Sequence, residues 1–366
     1  MSARPVTLPR WADVYLMPAL NVGLAFLASG LVVLAIGESP LEATTLLLRG
    51  ALGHAEGLGF TLYYTTNFIF TGLAVAVAFH AGLFNIGGEG QAMLGGIGAA
   101  IAALMLGSLP GIIALPAAIL AAALFGAGWA AIPGWLQAKR GSHVVITTIM
   151  FNFIASALLV YLLVDVFRPA GMMEPSSRVF GEGGKLPFLH EIAAKLGMKL
   201  PKSPLNLSFV LALASAVAVW LLIYRSRLGY AIRTVGANPT AARYAGISPE
   251  RITILAMAIS GALAGMMAVN EILGVQHRLL LAFTAGYGFV GIAVALMGRG
   301  HPGGIVFAAL LFGVLYQGGT ELAFDKPNIS RDMIVVIQGL VILFAGALEF
   351  MLKPWVAQLL ARREQA

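Results

Sequence analysis

The residues that could do chemistry sit at interruptions in an otherwise apolar chain. The first is Phe79–Gln91, FHAGLFNIGGEGQ, where Gly82, Gly87, Gly88 and Gly90 crowd together. Each glycine costs a helix interior about 1 kcal/mol relative to alanine, so the helix is expected to break here. Asn85, Glu89 and Gln91 then supply polar groups beside unwound backbone. Irregular backbone at membrane depth is tolerated only around a cavity or inside protein, and an intramembrane ionisable group is functional by default. The competing reading is a tight turn at the membrane surface with Glu89 in water.

The second interruption is Arg225–Arg251, RSRLGYAIRTVGANPTAARYAGISPER. Asn238 suits an N-cap, Pro239 the first helical position and Gly246 the residue just past the end, with PTAARYA forming about two turns between them. Such a helix is either a rigid knob that a partner can push or a connector with a basic face for lipid headgroups. The third is Tyr287–Gly304, YGFVGIAVALMGRGHPGG. From Gly291 onward it echoes the stretch from Gly72: an apolar helix, a Gly-rich polar break, then a small-residue helix. An internal repeat and a chance likeness between Gly/Ala-rich segments both account for this. Asn67, Thr147, Thr148, Asn152, Asn270 with Glu271, and Gln317 are scattered through apolar stretches. Each is a candidate to line a path for a polar solute or to make an interhelical hydrogen bond of about 0.6 kcal/mol.

The elements that must hold these segments follow from composition. Of 366 residues, 59% are hydrophobic and 11% charged, against about 25% charged in a soluble domain. With a mean hydropathy of +0.88 the chain has too few polar residues to cover a water-soluble globule. The expected fold is an all-α, polytopic transmembrane helical bundle with broken or re-entrant helices. About 20 apolar residues make a span, and about ten stretches qualify. They are Met17–Ile36, Gly57–Phe79, two between Glu89 and Lys139 joined at Gly107–Gly111, Val144–Val164, Ser203–Tyr224, Ile252–Asn270, Leu279–Gly298, Pro302–Thr320 and Met333–Leu352. Pro40–Leu52 is amphipathic and is expected at the outer surface.

The net charge of +7 points to cytoplasmic loops more than to nucleic acid. Placing the N-terminus inside puts Arg4, Arg10, Lys139, Arg140, Arg225, Arg227, Arg233, Arg243, Arg251, Arg299, Lys353, Arg362 and Arg363 in the cytoplasm, and both termini with them. Asp165–Leu205 becomes the extracytoplasmic loop, with a short helix at Leu189–Leu196, although six of its residues are Lys or Arg. There is no cysteine, so disulfides, zinc–thiolate sites, iron–sulfur clusters and cysteine nucleophiles are excluded. No histidines have metal-ligand spacing, and no G-x-x-x-x-G-K-[ST] loop is present to cradle ATP.

Gly72–Gln91, GLAVAVAFHAGLFNIGGEGQ, together with Arg233–Ile247, RTVGANPTAARYAGI, closely resembles permease subunits of bacterial ABC importers. The branch is that of nucleoside and simple-sugar permeases, related to the ribose and branched-chain amino-acid permeases. The likeness runs from the first helix to Leu352 and is weakest in residues 165–205. It implies that residues 1–366 form one transmembrane permease domain, with a coupling helix in the 225–251 loop that sits in a groove of an ATPase. Arg233, Gly236, Asn238, Pro239, Ala242, Arg243 and Gly246 are then the coupling residues. Asn67, Asn85, Glu89, Gln91, Thr148, Asn152 and Asn270 are the expected substrate path.

The resemblance further implies ABC ATPase subunits that carry ATP and magnesium, a solute-binding protein, and a second permease. The G-G-E-G-Q form resembles the larger member of a heterodimeric pair whose paralogue is shorter. No cofactor is expected in this chain, and no enzymatic activity. The expected function is import of a nucleoside or related sugar into the cytoplasm, through the bacterial inner membrane, by alternating access. The alternative is an ion-coupled secondary transporter, for which only Glu89, Glu271 and Glu349 qualify as titratable coupling residues in the spans, all near span ends.

Overall fold

The computed structural model describes residues 16–326 continuously, and 9, 11, 12, 328, 329, 333–340, 343, 354, 356 and 357 besides. Among these residues the structure is helical, with no strands beyond two isolated bridges, Ser176 to Leu280 and Phe188 to Asn206. The chain gathers into two units, Met1–His54 with Val314–Ala366, and Ala55–Gly313.

In the first unit, α1 (Met17–Ala35) stops where Gly37 takes φ +86°. Ser39 caps α2 (Pro40–Leu52) by accepting from the Glu42 amide, and Pro40 occupies the first turn. The result is a bend of 117° between the two helices. Val33 and Ala43 pack with Leu322, Ile329, Ile334 and Ile337. Lys326 holds Glu38 at 3.2 Å and Glu42 at 3.0 Å, and Asn328 donates to Glu38.

The second unit is built on α3 (Ala55–His80), whose residues from Thr65 to Ala78 are all buried. That is the pattern of a helix apolar on every side and surrounded by others. After it come α4 (Gly88–Leu106), α5 (Gly111–Arg140) and α6 (Val144–Tyr161). Further along, α7 (Leu189–Lys195) lies in the loop before α8 (Ser208–Trp220), which a wide π turn extends to Arg225. The short helices α9 (Arg227–Ala237) and α10 (Pro239–Tyr244) lead into α11 (Pro249–Ala268), continued as a π turn to Gln276. Then come α12 (Tyr287–Met297) and α13 (Pro302–Asp325), the latter crossing from the second unit to the first at Val314. Small residues set the closest approach: a Cβ on Gly95 would lie 2.9 Å from the Gly265 carbonyl carbon, and one on Gly126 would lie 3.1 Å from that of Gly261. Backbones approaching this closely are a membrane packing device.

Seven helices among the described residues are long and apolar enough to cross a membrane, eight with the bent α1–α2 pair. The expectation of about ten is slightly more than the described residues show. The stretch Leu279–Gly298 yields only the eleven residues of α12, because His277, Ala282 and Ala285 take positive φ and break the helix before it. The stretch Met333–Leu352 is helical at 333–340 and otherwise lies almost wholly outside the described residues. So do Arg4, Arg10, Lys353, Arg362 and Arg363.

Candidate functional site

The break after α3 is as the glycines require. Gly82 turns the chain at φ +72°, and α4 restarts at Gly88. Four of the expected path residues close this break. Asn85 and Gln91 pair through both amides, at 2.9 and 3.0 Å. Asn85 also accepts from the Gly87 amide at 2.9 Å and donates to Ser260 Oγ at 2.8 Å, which in turn donates to the Ala74 carbonyl. Asn152 accepts from the Gly90 amide at 2.9 Å and donates to the Ile86 carbonyl at 3.0 Å. Thr148 accepts from the Ile86 amide. The amides that begin α4 have no intrahelical partner, and Asn85 supplies one at the Gly87 cap and Asn152 one at Gly90.

Glu89 is 6% exposed, which rules out a solvated turn. Its two carboxylate oxygens accept from the amides of Gly286 at 2.9 Å and Gly288 at 2.8 Å, at the start of α12. Gly88 and Gly288 are in near contact: a Cβ on Gly88 would sit 3.3 Å from the Gly288 carbonyl oxygen. Two helix N-termini thus face one another, each carrying partial positive charge, with a carboxylate between them. The break after α12, at Gly298–His301, touches the break after α3, since His80 Nε2 lies 3.2 Å from the Gly300 carbonyl oxygen. The two segments that echo one another in sequence are thus neighbours.

The remaining path residues form a second network. Asn270 donates to Asn67 at 2.8 Å, and Asn67 donates to Glu271 at 2.6 Å, where the Tyr63 hydroxyl also donates at 2.6 Å. Asn206 and Ser208, at the start of α8, donate to Asn270 at 2.9 and 2.7 Å. The π turn after α11 lets adjacent Asn270 and Glu271 both face the interior, 1% and 3% exposed. The two networks are separate, each built on a different stretch of α3 and α11. Tyr63, Asn206, Ser208 and Ser260 are the members that sequence reasoning missed. A hydroxyl or a single amide in an apolar stretch carries little signal until its partner is seen. Of the other scattered polar residues, Thr147 bonds to carbonyls of its own helix and Gln317 to Glu321.

The 225–251 loop folds as two short helices. Ser226 caps α9 through the Gly229 amide, and Asn238 Oδ1 accepts from the Thr240 and Ala241 amides at 2.9 and 3.0 Å, with Pro239 in the first turn. Gly246, at φ +76°, ends α10. Gly236 lies directly on the break after α3: a Cβ there would stand 2.9 Å from the Ala81 carbonyl carbon and the Gly82 amide nitrogen. The loop and the membrane break therefore share a backbone contact. Ala242 is fully buried within its own chain, so it seats α10 and is not part of its exposed face. Arg243 pairs with Glu250, and Arg233 stacks 5.6 Å over the Tyr224 ring. The exposed tip is Tyr244, 90% accessible, which the sequence reading did not single out.

Comparison with known proteins gives this arrangement a class. The permease component of the branched-chain amino acid transport system matches residues 57–346, and the chain belongs to that family. It is 35% identical to a glucose ABC transporter permease protein of Haloferax volcanii, over 94% of this chain and 90% of that one. It is 34% identical to a nucleoside ABC transporter permease protein of Lactococcus lactis, over 90% of each chain. Identity is also 34% to a guanosine ABC transporter permease protein of Bacillus subtilis, over 91% of this chain and 93% of that one. The same two bacteria each hold a second related permease, at 28% and 27% identity. No solved structure matches the chain. The protein is a multi-pass membrane permease subunit of an ABC transporter, and family membership does not favour the ion-coupled alternative.

Proposed function

We propose that this chain is one half of the membrane channel of an ATP-driven importer for a nucleoside or a related simple sugar. The observation that carries the reading is the contact between the 225–251 loop and the break after α3, at Gly236 and Gly82, in a chain whose relatives are named for nucleosides and glucose. ATP and magnesium belong to a separate ATPase, which receives α10 with Tyr244 at its tip. Movement of α9 then bears on the Gly82 turn and, through it, on the α4 break that Asn85, Gln91, Thr148, Asn152 and Glu89 hold closed. When these bonds are exchanged, the same groups, with Asn67 and Asn270, line a polar, weakly interacting path. Polar uncharged side chains suit a hydroxyl-rich solute.

The second related permease in Lactococcus and Bacillus supports a heterodimer with a shorter paralogue. A solute-binding protein on the 165–205 side completes the assembly, with both termini of this chain in the cytoplasm of the cell bounded by this inner membrane. The test is purification of the tagged chain from native membranes in mild detergent, with mass spectrometry of what accompanies it. A P-loop ATPase and a second permease are the expected companions. Recovery of this chain alone, active in proteoliposomes without ATP, would overturn the reading.

A further inference from the structure

We propose that the groove between α8 and the start of α13 is a binding site for an anionic phospholipid, with an acyl chain along the groove and the headgroup at its Arg225 end. The groove has a volume of about 360 Å³. One wall is Leu213, Ala216, Val217 and Trp220 of α8, and the other runs from His301 to Phe307. Leu213 and Trp220 are seven residues apart, so the α8 wall is about 10 Å long at 1.5 Å per residue. Along that length the lining is apolar, and Val217 and Phe307 expose 58% and 76% of their surface. This is the shape and chemistry of a hydrocarbon slot.

The groove changes character at its Trp220 end. There the Arg225 guanidinium stacks 5.3 Å from the Trp220 ring centre. The His301 ring lies 5.4 Å from that of Tyr224, whose face carries Arg233 at 5.6 Å. No Asp or Glu occurs between Ser203 and Pro249, or between Ile272 and Thr320, so neither wall brings an acid to neutralise this cationic end. Arg225 ends the apolar α8 segment and Pro302 begins α13, which sets the cationic end at the membrane–water boundary. Tryptophan is favoured at that depth, and basic pockets between spans take anionic headgroups. A docked protein would fill the slot equally well with an apolar side chain, but the cationic end, with no acid of its own, calls for a partner that is apolar along its length and anionic at one end.

The test is native mass spectrometry of the transporter purified from its own membranes and exchanged into mixed phosphatidylglycerol and phosphatidylcholine. One phosphatidylglycerol is expected to persist per copy of this chain in preference to phosphatidylcholine. Val217→Trp, which fills the slot, and Arg225→Gln, which removes the charge from an exposed position, should each lower that retention at least five-fold. Brominated phosphatidylglycerol should quench part of the tryptophan emission, and Trp220→Phe should remove that part. Equal retention of the two lipids, or retention unaffected by Arg225→Gln, overturns the proposal. Release of the second permease by Val217→Trp with lipid retention unchanged would make the groove a subunit interface and overturns it as well.

Discussion

Glu89 is buried because two backbone amides need it. Its oxygens accept from the otherwise orphan donors at Gly286 and Gly288, where two helix N-termini converge. Glu89→Gln keeps the volume but turns an amide donor toward one of those N–H groups. Leaving a buried N–H group unsatisfied in this way costs about 1–3 kcal/mol. The expected outcome is a several-fold fall in solute uptake with normal membrane levels of protein, read in transport assays on vesicles. Uptake at the parental rate would remove Glu89 from the mechanism. Gly288→Ala tests the same junction sterically, since its Cβ would lie 2.6 Å from Glu89 Cα. Forcing a methyl into so close a contact costs about 1–3 kcal/mol, and the thermal midpoint in detergent should fall.

At the scale of elements, the 225–251 loop ends in a capped helix, α10, seated by one buried alanine. Asn238→Ala removes an N-cap worth about 1 kcal/mol and should fray α10. ATPase stimulation should fall while the chain stays in the membrane, as measured by solute-stimulated phosphate release in the reconstituted complex. Ala242→Glu should go further and uncouple transport entirely, because a charged side chain cannot occupy a fully buried position without lifting α10 from its seat. If ATP turnover and uptake are unchanged in Ala242→Glu, the loop is a passive connector.

The turn between α1 and α2 carries a pH dependence. A hydrogen bond from Asn328, followed by the contact with Lys326, holds Glu38 below the ordinary glutamate value of 4.5. A lowered carboxylate contributes stability above its unfolded value and loses it as pH falls through its folded one. Glu38→Gln should therefore lower the thermal midpoint at pH 7, and the difference from the parent should vanish in acid below pH 4.5. A difference that persists there would assign the effect to packing.

For the whole molecule, most of the architecture was legible in the sequence, because the bilayer imposes a length and a composition on every span. The glycines at 82, 87, 88 and 90 marked the first break for the same kind of reason, a local backbone cost. The cap at Asn238 and the stop at Gly246 were legible because they act within a few residues of themselves. One expected span is shorter than a crossing helix where hydropathy continued but backbone did not. Leu279–Gly298 is apolar throughout, and its positive-φ turns depend on neighbours that hydropathy does not see. The polar residues were located but not paired.

What the sequence by itself determined is a multi-pass helical membrane protein with a glycine-rich break at residues 82–90 and a capped short helix in the 225–251 loop. Each of those features is local, set by apolar length, glycine or a capping side chain. Only the tertiary structure decided that Glu89 caps a helix almost 200 residues away. It also decided that Asn67, Asn270 and Glu271 share one network, that Ala242 faces inward, and that Gly236 rests on Gly82. A buried polar group must find a partner, but its own sequence neighbourhood does not say which one, because the choice depends on how helices distant in the chain come to lie together.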